Sequence, residues 1–319
     1  MEKNIVMTAF VAVLLGTATT SCNSNDDGIQ AGIEIPGITI TGDTDCCSAE
    51  EALQVYRFLQ GVRIIHELST VIDGKYNVFA YSKTGTLHRG YNDLYFVATK
   101  RLTGNYVKNF EIESLTPLMH MVQTDMWHST PVSAAVTTFD DGILAVKHVW
   151  VSLLMNTSDD GEWVFSYEAQ VLDSKGGVNH VAINVEALPD GQEWLKSFKV
   201  ADDTYFLSLV NPTEWQAGTN TIKAYISKKS NPITTPYALA EESFIVEIDP
   251  RMPDMGGHTS PGNTPLTQQQ DGSYQGTINL TMTGLWRIHL TVKDAQGSVV
   301  AGGDDLTDGH SSLYWDVTI

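Results

Sequence analysis

Asp249–Val292 reads DPRMPDMGGHTSPGNTPLTQQQDGSYQGTINLTMTGLWRIHLTV. Tyr274, Gly276, Ile278, Leu280 and Met282 alternate with more polar residues, and Trp286, Ile288, Leu290 and Val292 continue the pattern after a Thr-Gly turn. Side chains of one parity share one face of a strand. The run predicts a β-hairpin with its apolar face inward. Before it lies a Pro/Gly-rich loop carrying Met252, Met255 and His258. Thioether sulfur and imidazole are donors for soft or borderline metal ions, and Met282 lies at the turn end of the predicted hairpin.

Moving outward, the same order of residues occurs earlier in the chain. Gly90-x-Asn92-x-Leu94, Pro117-Leu118-Met119, His128-Ser129-x-Pro131, Met155, Gly161-x-Trp163 and Leu172-Asp173-Ser174-Lys175-Gly176 precede their counterparts. These are Gly218-x-Asn220-x-Ile222, Pro250-Arg251-Met252, His258-Thr259-x-Pro261, Met282, Gly284-x-Trp286 and Lys293-Asp294-Ala295-Gln296-Gly297. The order predicts two tandem β-sandwiches, a short helix plus the first over 48–188 and the second over 189–319, with the boundary near Leu188-Pro189-Asp190-Gly191. The earlier Met/His loop is longer and richer, with Met119, Met121, Met126 and His128 as candidate ligands. Two readings of both sets stay open. Methionine fills irregular core gaps, and soft donors bind Cu(I). Trp163 and Trp286 head apolar strands and read as core residues.

Pro250, Met252-Pro253, Met255, His258, Gly272-x-Tyr274 and Met282-x-Gly284-x-Trp286 resemble the YtkA-like family. That family is related to FixH and to the CopC-like β-sandwiches of copper-handling envelope proteins. The resemblance covers about a quarter of the chain. It implies an all-β, Ig-like sandwich and a copper site among the loop methionines and histidines.

Upstream of the sandwiches, Ser48 and Glu51 form a capping box that opens a short helix. Its apolar stripe is Ala49, Ala52, Leu53, Tyr56 and Leu59, and Gly61 is placed to end it. Beyond Gly61 the apolar period becomes two, as in Tyr76, Val78, Ala80 and in Leu94, Phe96, Ala98. The N-terminus has Lys3, the apolar run Ile5–Leu15 and small residues ending in Thr19-Thr20-Ser21-Cys22. This pattern looks like a lipoprotein signal over residues 1–21 with Cys22 as the lipidation site. Asn23-Ser24-Asn25-Asp26-Asp27 is similar to the acidic tag that sends some Gram-negative lipoproteins to the cell surface. Residues 22–47 read as a flexible tether. The adjacent Cys46 and Cys47 admit a strained disulfide, a dithiolate metal grip, a bond to another chain, or no role.

The chain has 319 residues and a formal charge of −19. Such acidity disfavours nucleic acid, which needs cationic side chains to replace counterions. It also disfavours electrostatic docking on anionic lipid. His66-Glu67-Leu68-Ser69-Thr70 lacks the second histidine of a zincin helix. His258-Thr259-Ser260-Pro261-Gly262 lacks the first glycine of a nucleophile elbow, and Asp304-Asp305-x-x-Asp308 lacks the spacing of a calcium loop. No nucleophile–base pair is visible, so the expectation is a protein that is not an enzyme. Two functions are carried forward. One is an outer-membrane, envelope lipoprotein that binds a soft metal, Cu(I) above others. The other is a surface interaction module without metal, whose partner would be another envelope protein.

Overall fold

The structure is a computed structural model that describes residues 32–42, 48–133, 136–139, 143, 145–188, 192–303 and 312–319. The signal segment, Cys22, the acidic tag, Cys46, Cys47, residues 189–191 and the Asp304–Asp308 turn lie outside these residues. Among the described residues the chain is all-β, with one α-helix, Ala49–Leu59. The predicted capping box is present: Ser48 N–H donates to Glu51 Oε2 (2.7 Å), and Glu51 N–H donates to Ser48 Oγ (3.2 Å). The helix buries Ala49, Ala52 and Val55. They pack with Val97 and Val146, on the outer face of a sheet whose other face lines the first core. Part of the expected tether is folded. Ile33–Ile35 pairs with Ile38–Ile40, and Ile40 is buried beside the helix.

Two hydrophobic cores follow. In the first half, one sheet has the order Thr137–Thr138, Val146–Leu153, Gly90–Lys100, Tyr76–Ser82, Arg63–Ile72. The facing sheet has the order Ser174–Ile183, Gly161–Val171, Phe110–Met121, Met126–His128. In the second half Leu195–Val200, Asp203–Asn211, Gly218–Lys228 and Tyr274–Leu280 are neighbours in that order. Thr264–Gln268 then bridges them to Phe244–Met252, Leu285–Asp294 and Val299–Gly302, so one ten-stranded sheet wraps its own core. The tail forms the expected strand, Tyr314–Thr318, on Leu285–Asp294.

The predicted hairpin is not one. Tyr274–Leu280 pairs with Gly218–Lys228 and Thr264–Gln268, whereas Leu285–Asp294 pairs with Phe244–Met252. The intervening turn is an arch between the two faces of the sandwich. The parity argument survives, because both strands point their apolar residues into the same core. Ile278, Leu280, Trp286, Ile288, Leu290 and Val292 are all fully buried. The corresponding strands of the first half, Val146–Leu153 and Gly161–Val171, do not pair with each other either, and there they belong to different sheets.

The Gly-x-Asn motifs start equivalent strands. Gly90 and Gly218 have φ of +92° and +100°, the left-handed region that suits glycine. Asn92 Oδ1 accepts from His88 N–H (2.8 Å), while its Nδ2 donates to the carbonyls of His88 and Gly90. Asn220 repeats these bonds with Gln216 and Gly218. The halves meet in a stack of Tyr91, Trp150 and Tyr225, with the last two rings 4.7 Å apart at 15°. Beside the stack, Ser129 N–H donates to Ile233 O (2.7 Å), Tyr237 N–H to Thr130 O (2.9 Å) and Val132 N–H to Tyr237 O (3.1 Å).

Candidate metal centre

The first Met/His segment is not a loop. Phe110–Met121 continues to Met121, turns, and pairs back with Met126–His128. The register sets Met119 opposite His128, His120 opposite Trp127, and Met121 opposite Met126. Directly opposed residues share a face, and the face alternates along the strand. Met119, His128, Met121 and Met126 therefore lie on one face, in two successive pairs. Met119 is also paired with Trp163 on the adjoining strand, so this is the face that continues into the core. The pairs run from inside to outside: Met119 is buried, His128 and Met121 are half-buried, and Met126 is 51% exposed.

Trp163 fixes the inner end. Its Nε1–H donates to Met155 O (2.9 Å), and its ring stands 6.0 Å from the His128 ring in an edge contact. Gly161 makes room for the Met119 thioether, since a Cβ there would lie 3.4 Å from its sulfur and closer still to its methyl. His128 has a defined tautomer. Its Nδ1 lies 2.8 Å from Ser129 O. A carbonyl can only accept, so Nδ1 carries a proton, and in the neutral ring Nε2 keeps its lone pair.

The second half repeats the inner pair only. Met252, at the end of Phe244–Met252, is paired with His258 on the strand His258–Thr259. Trp286 Nε1–H donates to Met282 O (2.9 Å), and its ring is 6.2 Å from that of His258. The Met252 methyl packs over Gly284, as Met119 does over Gly161. Met255 departs from the expected cluster. It sits on the 3-10 turn Pro253–Met255 that joins the two strands and is 53% exposed, and His258 is exposed as well. Met155 and Met282 pack against their cores.

On the opposite face of the first hairpin is a group that residue order did not single out. His120 stacks on Trp127, with ring centroids 4.3 Å apart at 9°. Its Nε2 is 2.9 Å from Asp125 and its Nδ1 3.4 Å from Glu162. The Asp125 bond first, and then Glu162, hold its pKa above the ordinary imidazole value despite a smaller opposing desolvation. Among the described residues no three His, Cys, Asp or Glu side chains gather into a metal-holding group. A metal at either hairpin would thus depend on thioether donors.

The fold and these hairpins define an all-β, sandwich-type protein with Met/His pairs at one end of each core. Residues 199–291 match the model of the YtkA-like family, so the second half carries a YtkA-like domain. The match includes Met252, Met255, His258, Met282 and Trp286. No curated protein matches the chain.

Proposed function

We propose that this chain is a lipid-anchored protein of a Gram-negative cell envelope that binds a soft metal ion, Cu(I) above others, without catalysing a reaction. One observation carries the reading: Met119, Met121, Met126 and His128 occupy one face of one hairpin as two cross-strand pairs. Uncharged sulfur favours Cu(I) over hard cations. A histidine whose Nδ1–H is held by a backbone carbonyl has the arrangement usual for metal-ligating histidines. The graded burial gives an exposed point of entry at Met126 and a water-poor interior at Met119. Met252, His258 and Met282 would form a reduced second site, with Met255 as an outlying donor. The matching Trp, Gly and Asn contacts in the two halves support reading them as copies of one unit.

Burial of Met119 and Met252 favours the competing reading, in which both methionines fill the cores and the protein is a surface interaction module. Anaerobic competition with a Cu(I) chelator decides between them. The expected result is that the chain takes Cu(I) from the chelator, and absence of any transfer would leave the interaction module. The anchor is tested separately. Cys22→Ser is expected to release the protein from membranes or leave its signal segment uncleaved, and unchanged membrane association would end the lipoprotein assignment.

A further inference from the structure

His128 is the only imidazole in the four-residue set, and the nitrogen it offers depends on a neighbour. Its proton sits on Nδ1 because the Ser129 carbonyl can only accept. Ser129 is fully buried and held firmly. Its N–H donates to Ile233 O (2.7 Å), and its Oγ–H donates to Pro117 O (2.8 Å). The chain beyond it is clamped too. Thr130 accepts from Tyr237 N–H and gives its hydroxyl proton to Ser152 O, and Val132 N–H returns to Tyr237 O.

Ile233 and Tyr237 belong to the second half, in the connector between Gly218–Lys228 and Phe244–Met252. The connector is packed and bonded at that point. Tyr237 is 1% exposed and stacks on Phe206, with centroids 5.5 Å apart at 14°. Ser230 Oγ–H donates to Pro236 O (2.9 Å) within it. Among the described residues, the second half has no such support after its own histidine. Ser260 O and Pro261 O accept from the side-chain amides of Asn263 and Asn279, and His258 itself is exposed.

We propose that the second half serves as the outer support of the first half's binding histidine. Its connector fixes Ser129, and through the Ser129 carbonyl it holds His128 in the tautomer whose Nε2 faces a ligand. Ser129 and Tyr237 are positioning residues. The division of labour is that the first half binds and the second half braces. The purpose of this device rests on the metal reading above, while the tautomer and its dependence on Tyr237 can be measured with no metal present.

The test uses the folded full chain. Long-range nitrogen–proton NMR correlations report each imidazole tautomer, and the His128 signal is assigned by its loss in His128→Gln. In its neutral ring, His128 is expected in the Nδ1–H form. Tyr237→Ala removes the stacked ring that holds the connector. It is expected to shift His128 toward the Nε2–H form and to weaken Cu(I) binding about tenfold or more, the usual scale for losing an outer-shell partner. If Tyr237→Ala does not fold, Tyr225→Ala loosens the same junction through its contact with Trp150. An Nε2–H tautomer in the unmodified chain overturns the proposal. So does an unchanged tautomer in a variant whose Ser129 amide has lost exchange protection. A responsive Nδ1–H tautomer in a chain that takes up no Cu(I) supports the brace and removes the metal function instead.

Discussion

The two Met/His edges begin alike and end differently. Met119 pairs with His128 as Met252 pairs with His258, and each pair lies beside a tryptophan bonded to a methionine carbonyl. After His128 the chain is buried against the other half of the molecule, with Ser129 and Thr130 fully enclosed. After His258 the backbone carbonyls are closed by two asparagine side chains, and the Ser260 hydroxyl has no partner among the described residues. The difference lies in what fixes the backbone of each edge, while the innermost Met–His pair is common to both. Buried carbonyls need partners in either setting. One half takes them from a neighbouring segment, and the other makes do with its own amides.

The strongest way to break the comparison is through the tryptophans. Trp163→Ala and Trp286→Ala each empty a fully buried site and are expected to cost about 3–5 kcal/mol. Because the cores are separate clusters, each variant should lower the melting of its own half, with the other half's near-ultraviolet dichroism kept to higher temperature. Simultaneous loss of both signals in both variants would mean that the junction makes one cooperative unit.

Methionine swaps probe the same contrast more gently. Met121→Leu with Met126→Leu, and Met252→Leu with Met255→Leu, conserve volume, so unfolding should shift by less than about 1.5 kcal/mol. Chelator competition should show Cu(I) affinity falling about tenfold or more for the first pair, where both sulfurs lie on the His128 face. The second pair should fall less, since Met255 stands outside the Met252–His258 pair. Equal losses would place the second site on the same footing.

The smallest effect is expected from pH, and it differs in sign between the halves. His289 is 5% exposed, and its Nδ1 has no hydrogen-bond partner among the described residues. Burial above all, then Arg251 and Arg287 against the opposing pull of Asp249 and Asp316, holds its pKa below the ordinary value of 6.5. The unfolded chain therefore binds the proton more readily, and the second half should lose stability as pH falls below about 6.5. His120 has a raised pKa from Asp125 and Glu162. Its contribution is present in acid and fades as pH rises through that raised value, weakly because the pair is exposed to solvent. Melting curves between about pH 5 and 8 should show the acid loss, and His289→Gln should flatten it. Persistence of the full acid loss in that variant would assign it to another group.

Much of this architecture was legible in local sequence. The capping box at Ser48 and Glu51 formed because it needs only residues three apart. The parity of Tyr274–Val292 correctly marked the buried side, since alternation is a property of a single strand. The shared Gly-x-Asn motif marked equivalent strand starts, because its bonds span four residues at most. Strand partnership was beyond reach. Every strand offers the same backbone donors and acceptors, so parity states which way a residue faces but not whom it faces. Met282 was therefore placed on a hairpin, where the tertiary structure makes an arch between strands that do not pair with each other. For the same reason the methionines of the first half read as a loop until the register of Phe110–Met121 on Met126–His128 sorted them from His120 and Trp127. The tautomer of His128 was the least legible of all. It hangs on Ser129, which is held by Ile233 more than a hundred residues away, and only the packing of the two halves brings those groups together.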